Sequence, residues 1–473
     1  MPAAERLRLL AIAERLVSNE PALSNTDAFG PDVRSGMLDG PMLLVGDHRD
    51  IPLISDEASD LYQYRMSLLA RDSDIVAFNA ERNREFERYL EATLGLGAAE
   101  FLEVDAVEKR CSIPLAKRCR EDHRAFERII ATARDHGCLT IMPHIGTGHA
   151  WLLAGAVAQS SGRPIRVAAP PPRLTRRVNH KLWFSELVAN VLGPQAQPKI
   201  FHTYGPAALV GQATSLARRY DRIVIKVPDS AGSAGNISLW SKDIRGLSSR
   251  AVHQRLLALL HQLGWAGNYP LLTQVWDCPI QSTPSIQCWI PDPDEGLPII
   301  EGIFEQIVEG IDAEFVGSRP AQLPAKLSAA FADQAYRLAI VLQFCGYYGR
   351  CSFDAVILGT SVRPGKIHWI ECNGRWGGVS VPMTLVNRLT GDWTRKPFIV
   401  VQKYVTLSAP LRMADVLERL NDRLFVPGQT GEGIVILTPP GKETTRRLHF
   451  AALGQTLEDA NICTREALSL IIG

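Results

Sequence analysis

The stretch Cys351 to Pro382, CSFDAVILGTSVRPGKIHWIECNGRWGGVSVP, most constrains what this chain can fold into. Two β-rich runs flank a turn of Gly, Ser and Pro, which is a hairpin pattern. A loop from Gly359 to Lys366 pairs Leu358 with Ile367, and counting back sets Asp354 opposite Glu371. Glu371 and Asn373 lie two apart and share a strand face. Trp369 falls on that face by the same count, as a packing residue. Two acids and an amide oxygen therefore converge. Like charges directly opposite repel, and a divalent cation would balance them. Mg2+ takes carboxylate and amide oxygens and shares its shell with phosphates. The alternative is an amphipathic hairpin whose acids face water.

The 473 residues exceed one ordinary core and predict two or three domains. A hydrophobic fraction of 46% with 21% charged residues reads as a soluble globular protein. The net charge of +1 gives no broad electrostatic case for nucleic acid or an anionic membrane as partner. No apolar run approaches a membrane span, and the N-terminal AAERLRLLAIAERL lacks the unbroken apolar core of a signal peptide. Nine cysteines form no CxxC pair. An odd, scattered set fits reduced, buried thiols in a cytoplasm.

Residues 1 to about 170 read as an α/β unit. Pro41 to Val45, Ile75 to Phe78 and Cys138 to Met142 are short buried strands, with helices at Ala80 to Leu94 and His123 to His136 between them. Such alternation predicts a mostly parallel sheet. Ile145 to Trp151, IGTGHAW, reads as a plain strand-to-helix turn, with a helix start near an anion as its alternative. Ala168 to Arg177, AAPPPRLTRR, reads as an extended domain linker, its arginines Arg173, Arg176 and Arg177 a solvated end. Asn179 to Gly193 is a helix. A compact α/β block follows: helix 206–219, strand 223–227, strand 237–240, helix 249–263 and strand 271–276. Strand–helix alternation continues to about 400. The tail carries a helix at 413–424, a strand at Gly433 to Leu437 and a last helix at Leu457 to Ile471.

Ile223 to Gly235 reads IVIKVPDSAGSAG. A strand delivers Lys226 into a loop of small residues, whose backbone N–H groups can close on an anion. The lysine offers a point charge for phosphate. The pattern is not a Walker A loop, because the lysine precedes the glycines. It forms a hairpin tip able to cover a nucleotide; the alternative is a flexible solvent loop.

Three features thus occur in one order: Lys181 near a helix start (NHK), Lys226 with Ser230 to Gly235, and the Asp–Glu–Asn hairpin. This order resembles the ATP-grasp superfamily. The chain resembles more narrowly the pheganomycin-type peptide ligases, through the N-terminal α/β unit, the STPSIQCWI and IFEQ elements, ECNGRWGGVSVP and the tail from GEGIVIL. The resemblance implies an α/β (α+β grasp) fold. Residues 1–172 would form a pre-ATP-grasp domain, 173–400 an ATP-grasp domain with its lid at about 206–273, and 401–473 a C-terminal α/β segment.

It also implies roles. Asp354, Glu371 and Asn373 would hold one or two Mg2+ ions. Lys181 and Lys226 would contact ATP phosphates beneath a lid of Ser230, Ala231, Gly232, Ser233 and Gly235. The hinge strand with Gln274, Val275 and Trp276 would receive adenine, and Ser285 stands near the ribose position. Arg375, with Lys226 and Glu371, would serve catalysis by neutralising the transferred phosphoryl or the substrate carboxylate, and Gly377–Gly378 would admit substrate to the backbone. Two departures stand out: Gln274 replaces an acid common at the hinge, and the ribose acid has no clear counterpart. Arg350 resembles an arginine that related ligases place on the acyl phosphate; its alternative is a surface arginine at a strand start. Asp47 and His48 read as a turn-capping acid with an exposed imidazole, and His144 with His149 does not read as a metal pair.

The expected activity is ATP-dependent ligation of a small-molecule carboxylate to an amine (an amino acid or peptide), through an acyl phosphate, in specialised biosynthesis. A phosphotransferase or acyl-activating enzyme with another acceptor stays open, as does a nucleotide-sensing binder. Intact Asp354, Glu371, Asn373 and Arg375 argue against the binder; Gln274 leans towards it. A homodimer is the common assembly among the proteins this chain resembles.

Overall fold

The computed structural model describes residues 1–51, 53, 59–79, 81–104, 113–230, 235–310, 314–360, 363–406, 411–441 and 445–472. The N-terminal part runs α1 (Ala3–Asn19), β1 (Val33–Ser35), β2 (Met42–Val45), α2 (Ser59–Ser67), β3 (Ile75–Phe78), α3 (Arg84–Ala92), β4 (Glu100–Glu103), α4 (Leu115–Glu121), α5 (His123–His136), β5 (Leu139–Pro143), α6 (Gly148–Ser161) and β6 (Ile165–Val167). Its six strands form one parallel sheet in the order β1-β6-β5-β2-β3-β4. β2, β3 and β5 are buried along their whole length, as strands covered on both faces must be. The helix expected from Ala80 begins instead at Arg84, because Asn83 caps it, its side chain accepting from Phe86 N–H at 3.0 Å.

The expected extended linker is corrected. Its second half is a helix, α7 (Pro172–Val178). Pro172 occupies the first helical position, where its fixed φ suits and its missing N–H costs nothing. Leu174 and Val178 are buried beneath it. After α8 (Lys181–Leu192), a separate lobe comprises β7 (Ile200–Thr203), α9 (Pro206–Ala217), β8 (Arg222–Lys226), β9 (Asn236–Trp240), α10 (Ser249–Gln262) and β10 (Leu271–Val275). Its antiparallel sheet has the order β7-β10-β8-β9. The core of this lobe, including Leu209, Ile223, Ile225, Leu256 and Leu271, draws only on residues between 201 and 275.

Beyond β10 the expected strand–helix alternation does not hold. β11 (Ile280–Ser282), β12 (Pro284–Ile290), β13 (Ile299–Glu309) and β14 (Glu314–Pro320) follow one another directly, then α11 (Ala325–Phe344), β15 (Gly349–Thr360), β16 (Arg363–Asn373), α12 (Ser380–Thr390), β17 (Phe398–Thr406), α13 (Met413–Leu420), β18 (Gly433–Ile436), β19 (Thr445–Leu453) and α14 (Leu457–Ile472). β13, IIEGIFEQIVE, is mostly half-buried, so it lacks the continuous apolar run that marks a covered strand. Nine strands form a second antiparallel sheet, ordered β11-β15-β12-β13-β14-β17-β19-β18, with β16 on the other side of β15. β17 runs across residue 400, and the tail strands extend this sheet. One continuous core joins Phe86 and Tyr89 of α3 to Ile434, Phe450 and Ile471 of the tail. Among the described residues no helix is long and apolar enough to cross a membrane.

Candidate functional site

The β15–β16 hairpin carries the candidate metal-binding acids, in a register the sequence count only half predicts. Leu358 pairs with Lys366, not Ile367, and Ala355 with Trp369. A bulge then inserts Ile370 as an extra residue, so Asp354 does meet Glu371. A one-residue slip exchanges strand faces. Trp369 therefore lies opposite the Glu371 face, a correction, and stacks on Phe331 with ring centroids 4.7 Å apart. Ser285 of β12 is the other cross-strand neighbour of Asp354. It touches the acid directly, so it stands beside the acid pair.

The two acids have different surroundings. Burial pushes Asp354 up to about 6, and the Glu371 charge adds to this, against hydrogen bonds from Ser285 and Gln306. Asn373 Nδ2 donates to Asp354 at 3.0 Å. Burial also pushes Glu371 up, but Lys181, Lys226 and Arg375 together outweigh it and hold the carboxylate below its ordinary value. Lys181 Nζ lies 3.3 Å from Glu371 Oε2. Burial, reinforced by Lys181, brings Lys226 down to about 8, with Glu371 opposing. Arg375 donates to the side-chain oxygens of Asn373 and Asn179. Asn179 also accepts from Gly374 N–H at 3.0 Å. A Cβ on Gly374 would sit 2.3 Å from Val178 Cγ2, so only glycine lets this turn close against α7.

Lys226 ends β8, and Val227 N–H bonds Gly235 O at 2.8 Å to close the following loop. Ser230 Oγ donates to Val227 O at 2.7 Å, and Lys181 Nζ reaches Ser230 O and, at 3.3 Å, its hydroxyl. Ala231, Gly232 and Ser233 lie outside the described residues. Gln274 pairs with Val224 and Leu272 with Lys226, so Gln274 and Lys226 share one face of the lobe's sheet. The Val275 side chain belongs to the lobe's own core, and the Trp276 ring lies 4.0 Å from the Arg222 guanidinium. Among the described residues no three His, Cys, Asp or Glu side chains cluster. The candidate metal set is two carboxylates and one amide, and its facing acids suit a hard divalent cation that completes its shell with phosphate oxygens.

Residues 63–159 match the Pre ATP-grasp domain family. Solved structures align over most of the chain. N5-carboxyaminoimidazole ribonucleotide synthetase from Thermus thermophilus is 13% identical, with TM-score 0.53, covering 91% of this chain and 98% of that one. N5-carboxyaminoimidazole synthetase from Staphylococcus aureus is 11% identical, with TM-score 0.54, covering 93% and 100%. Biotin carboxylase from Campylobacter jejuni, in complex with β-γ-ATP, is 12% identical, with TM-score 0.54, covering 91% of each. No curated protein matches the sequence. The fold is the ATP-grasp fold. At these identities the likeness is one of fold.

Within the ATP-grasp fold several other residues fall into place. The IGTGHAW turn, with Thr147 capping α6, borders a cavity of about 620 Å³ that also touches Arg375, Asn179 and Ser230. Arg173 and Arg176 are exposed, as a solvated end would be, and Arg177 is half-buried; Arg173 and Arg177 both pair with Glu20. His48 is buried, not exposed, and packs on Tyr62, which in turn meets His144. Arg350 is buried as well. It pairs with Glu301 and lies between Trp289 and Trp376, 5.3 and 4.8 Å from their ring centres. Sequence reasoning gave no role to Asn179, Gln306, Asp277 or His368. The last two form a pair at 2.8 Å, and no spacing rule links an acid after one strand to a histidine on a distant one.

Proposed function

We propose that this protein is an ATP-dependent carboxylate–amine ligase. The observation that carries the reading is the meeting of Asp354 and Glu371 in one cleft with Lys181, Lys226 and Arg375. A binder of nucleotides needs cations for phosphate; it does not need facing acids as well. In this reading Lys181 and Lys226 hold the ATP phosphates, and Ser230 and Gly235 flank the lid over them. Gln274 to Trp276 offer backbone at the hinge for the base. Asp354, Glu371 and Asn373 hold Mg2+, which when bound neutralises charge on the phosphates.

A substrate carboxylate oxygen attacks the γ-phosphorus, the bond to the bridging oxygen breaks, and ADP leaves. Arg375 neutralises the charge on the transferred group. An amine then attacks the acyl carbon, phosphate departs, and the nitrogen gives up a proton. The chain's task is positioning and exclusion of water; no side-chain nucleophile is required. The cavity beside Arg375 has room for an amino acid or short peptide, in keeping with the resemblance to peptide ligases of specialised biosynthesis. A second reading takes bicarbonate as the carboxylate, favoured by the biotin carboxylase structures sharing the fold.

The deciding experiment supplies MgATP, hydroxylamine and a pool of amino acids and short peptides, with and without bicarbonate. ADP, phosphate and a hydroxamate that depend on a pool member support amide ligation. ADP release that depends on bicarbonate alone selects the second reading. AMP and pyrophosphate overturn both.

A further inference from the structure

The cavity of about 620 Å³ beside Arg375 is also bounded by the parallel sheet. Asp50 and Ile51 reach it from beyond β2, and Ile145 to His149 from beyond β5. These two strands are neighbours where the strand order turns: β3 and β4 lie past β2, and β6 and β1 past β5. The crevice outside the carboxyl ends of two such strands is where open α/β sheets take ligands.

The charges around this cavity sort into pairs, with two left over. Arg173 pairs with Glu20, and Asp229 faces Arg176 at 3.9 Å and His180 at 3.8 Å. Arg375 donates to two amides, Asn179 and Asn373, and not to a carboxylate. Asp50 stands in no ion pair among the described residues. Its side chain is open to the cavity, yet the walls around it push its carboxyl above the ordinary value, with the charge of Asp47 adding and the Thr147 hydroxyl and His149 opposing. Asp47 is itself matched by Arg49 at 3.1 Å. The lining further includes Ile145, Leu152 and Pro172, and Leu152 is 43% exposed. An unpaired cation and an unpaired acid in one largely apolar cavity complement a ligand of the opposite polarity. Weak screening there makes each pairing count for more than in water.

We propose that the carboxylate substrate is a zwitterion, an amino acid or short peptide with an unblocked amino terminus, whose ammonium is held by Asp50 while its carboxylate lies at Arg375. This names the substrate class of the ligase reading and rests on it. An ammonium beside a carboxylate keeps its proton. Without a lone pair it cannot attack the acyl phosphate. Asp50 thus separates two amines: the donor's own is silenced, and the acceptor's nitrogen forms the new bond as phosphate leaves. The product grows at the carboxyl end of the donor, and Asp50 is a specificity residue.

The test supplies the full chain with MgATP, hydroxylamine and either a pool of L-amino acids and dipeptides or the same pool N-acetylated. Hydroxamate and ADP are read for wild type, Asp50→Asn and Asp50→Glu. Wild type should form hydroxamate from the unblocked pool at least about tenfold faster than from the acetylated one, the worth of one charge-assisted pairing. Asp50→Asn should narrow that ratio, chiefly by raising KM for the active unblocked member, and Asp50→Glu should restore most of it. A smaller wild-type ratio overturns this inference and leaves the ligase reading standing. An equal loss with both pools in Asp50→Asn does the same, and assigns Asp50 a structural role at the start of α6. If Asp50→Asn does not fold, the wild-type ratio decides. Absence of any pool-dependent ADP release by wild type overturns this inference and the amino-acid reading together.

Discussion

Lys181 Nζ lies 3.3 Å from Glu371 Oε2, so the first turn of α8 and the end of β16 neutralise one another across the cleft. The same ammonium bonds Ser230, which ties the segment after β8 to the acid pair. Removing the charge of Glu371 should therefore leave the packing intact but deprive the phosphate end of one carboxylate.

Glu371→Gln should cut turnover by about 10²–10³-fold or more, with an unchanged far-ultraviolet circular dichroism spectrum. Steady-state ADP release measures it, and wild-type rates in that variant would sink the assignment.

Asp354 supplies a pH signature. Its pKa in the folded chain is raised to about 6 from 3.8, so between those values the folded protein holds a proton that the unfolded chain has lost. Its contribution to stability is present below about pH 4 and is lost as pH rises through 6. Asp354→Asn should abolish this loss. The Tm advantage of the variant over wild type, measured without metal, should be small at pH 4 and grow towards pH 7. A pH-independent difference would count against the assignment.

Lys226 sets the other limb. Its pKa is lowered to about 8, so the ammonium proposed to hold phosphate is lost above that pH. ADP affinity should be flat below about pH 8 on this account and fall above it. Lys226→Arg, which stays charged, should remove the alkaline limb even if its affinity is lower throughout.

Gly374→Ala would place a methyl 2.3 Å from Val178 Cγ2 and 3.1 Å from Asn179 Nδ2. The turn must shift, at a cost of about 1–3 kcal/mol. Because Asn179 also holds Arg375, turnover should fall further than stability alone explains. Urea unfolding and kcat measured on the same preparation check both.

Arg350→Ala should leave the half-buried Glu301 without its cation and cost about 1–3 kcal/mol. The double variant Arg350→Met with Glu301→Met should cost less than the single one, which thermal unfolding would reveal. A single variant as stable as wild type would show that the pair contributes nothing.

The sequence made much of this legible where structure is local. Short apolar runs gave three of the six strands of the parallel sheet, β2, β3 and β5, because strands covered on both faces have no polar alternation to obscure them; β1, β4 and β6 are short and carry polar residues. The hairpin acids could be paired from spacing, yet the bulge at Ile370 could not. Two errors of one residue, at the loop and at the bulge, cancelled at Asp354 but not at Trp369. The run from β11 to β14 was hidden because its strands are half-buried and read as mixed. Asn179 with Arg375, and Asp277 with His368, depend on how distant strands and helices are brought together, which no single stretch encodes.

The core of the 201–275 lobe shares no residue with the continuous core that joins α3 to the tail. The protein is therefore a jaw set on an anvil. The lobe thus meets the rest of the chain through surface contacts, among them Lys181 with Ser230, and His368 with Asp277 just beyond β10. Through Lys181 those contacts join the acid pair to the lobe that carries Lys226.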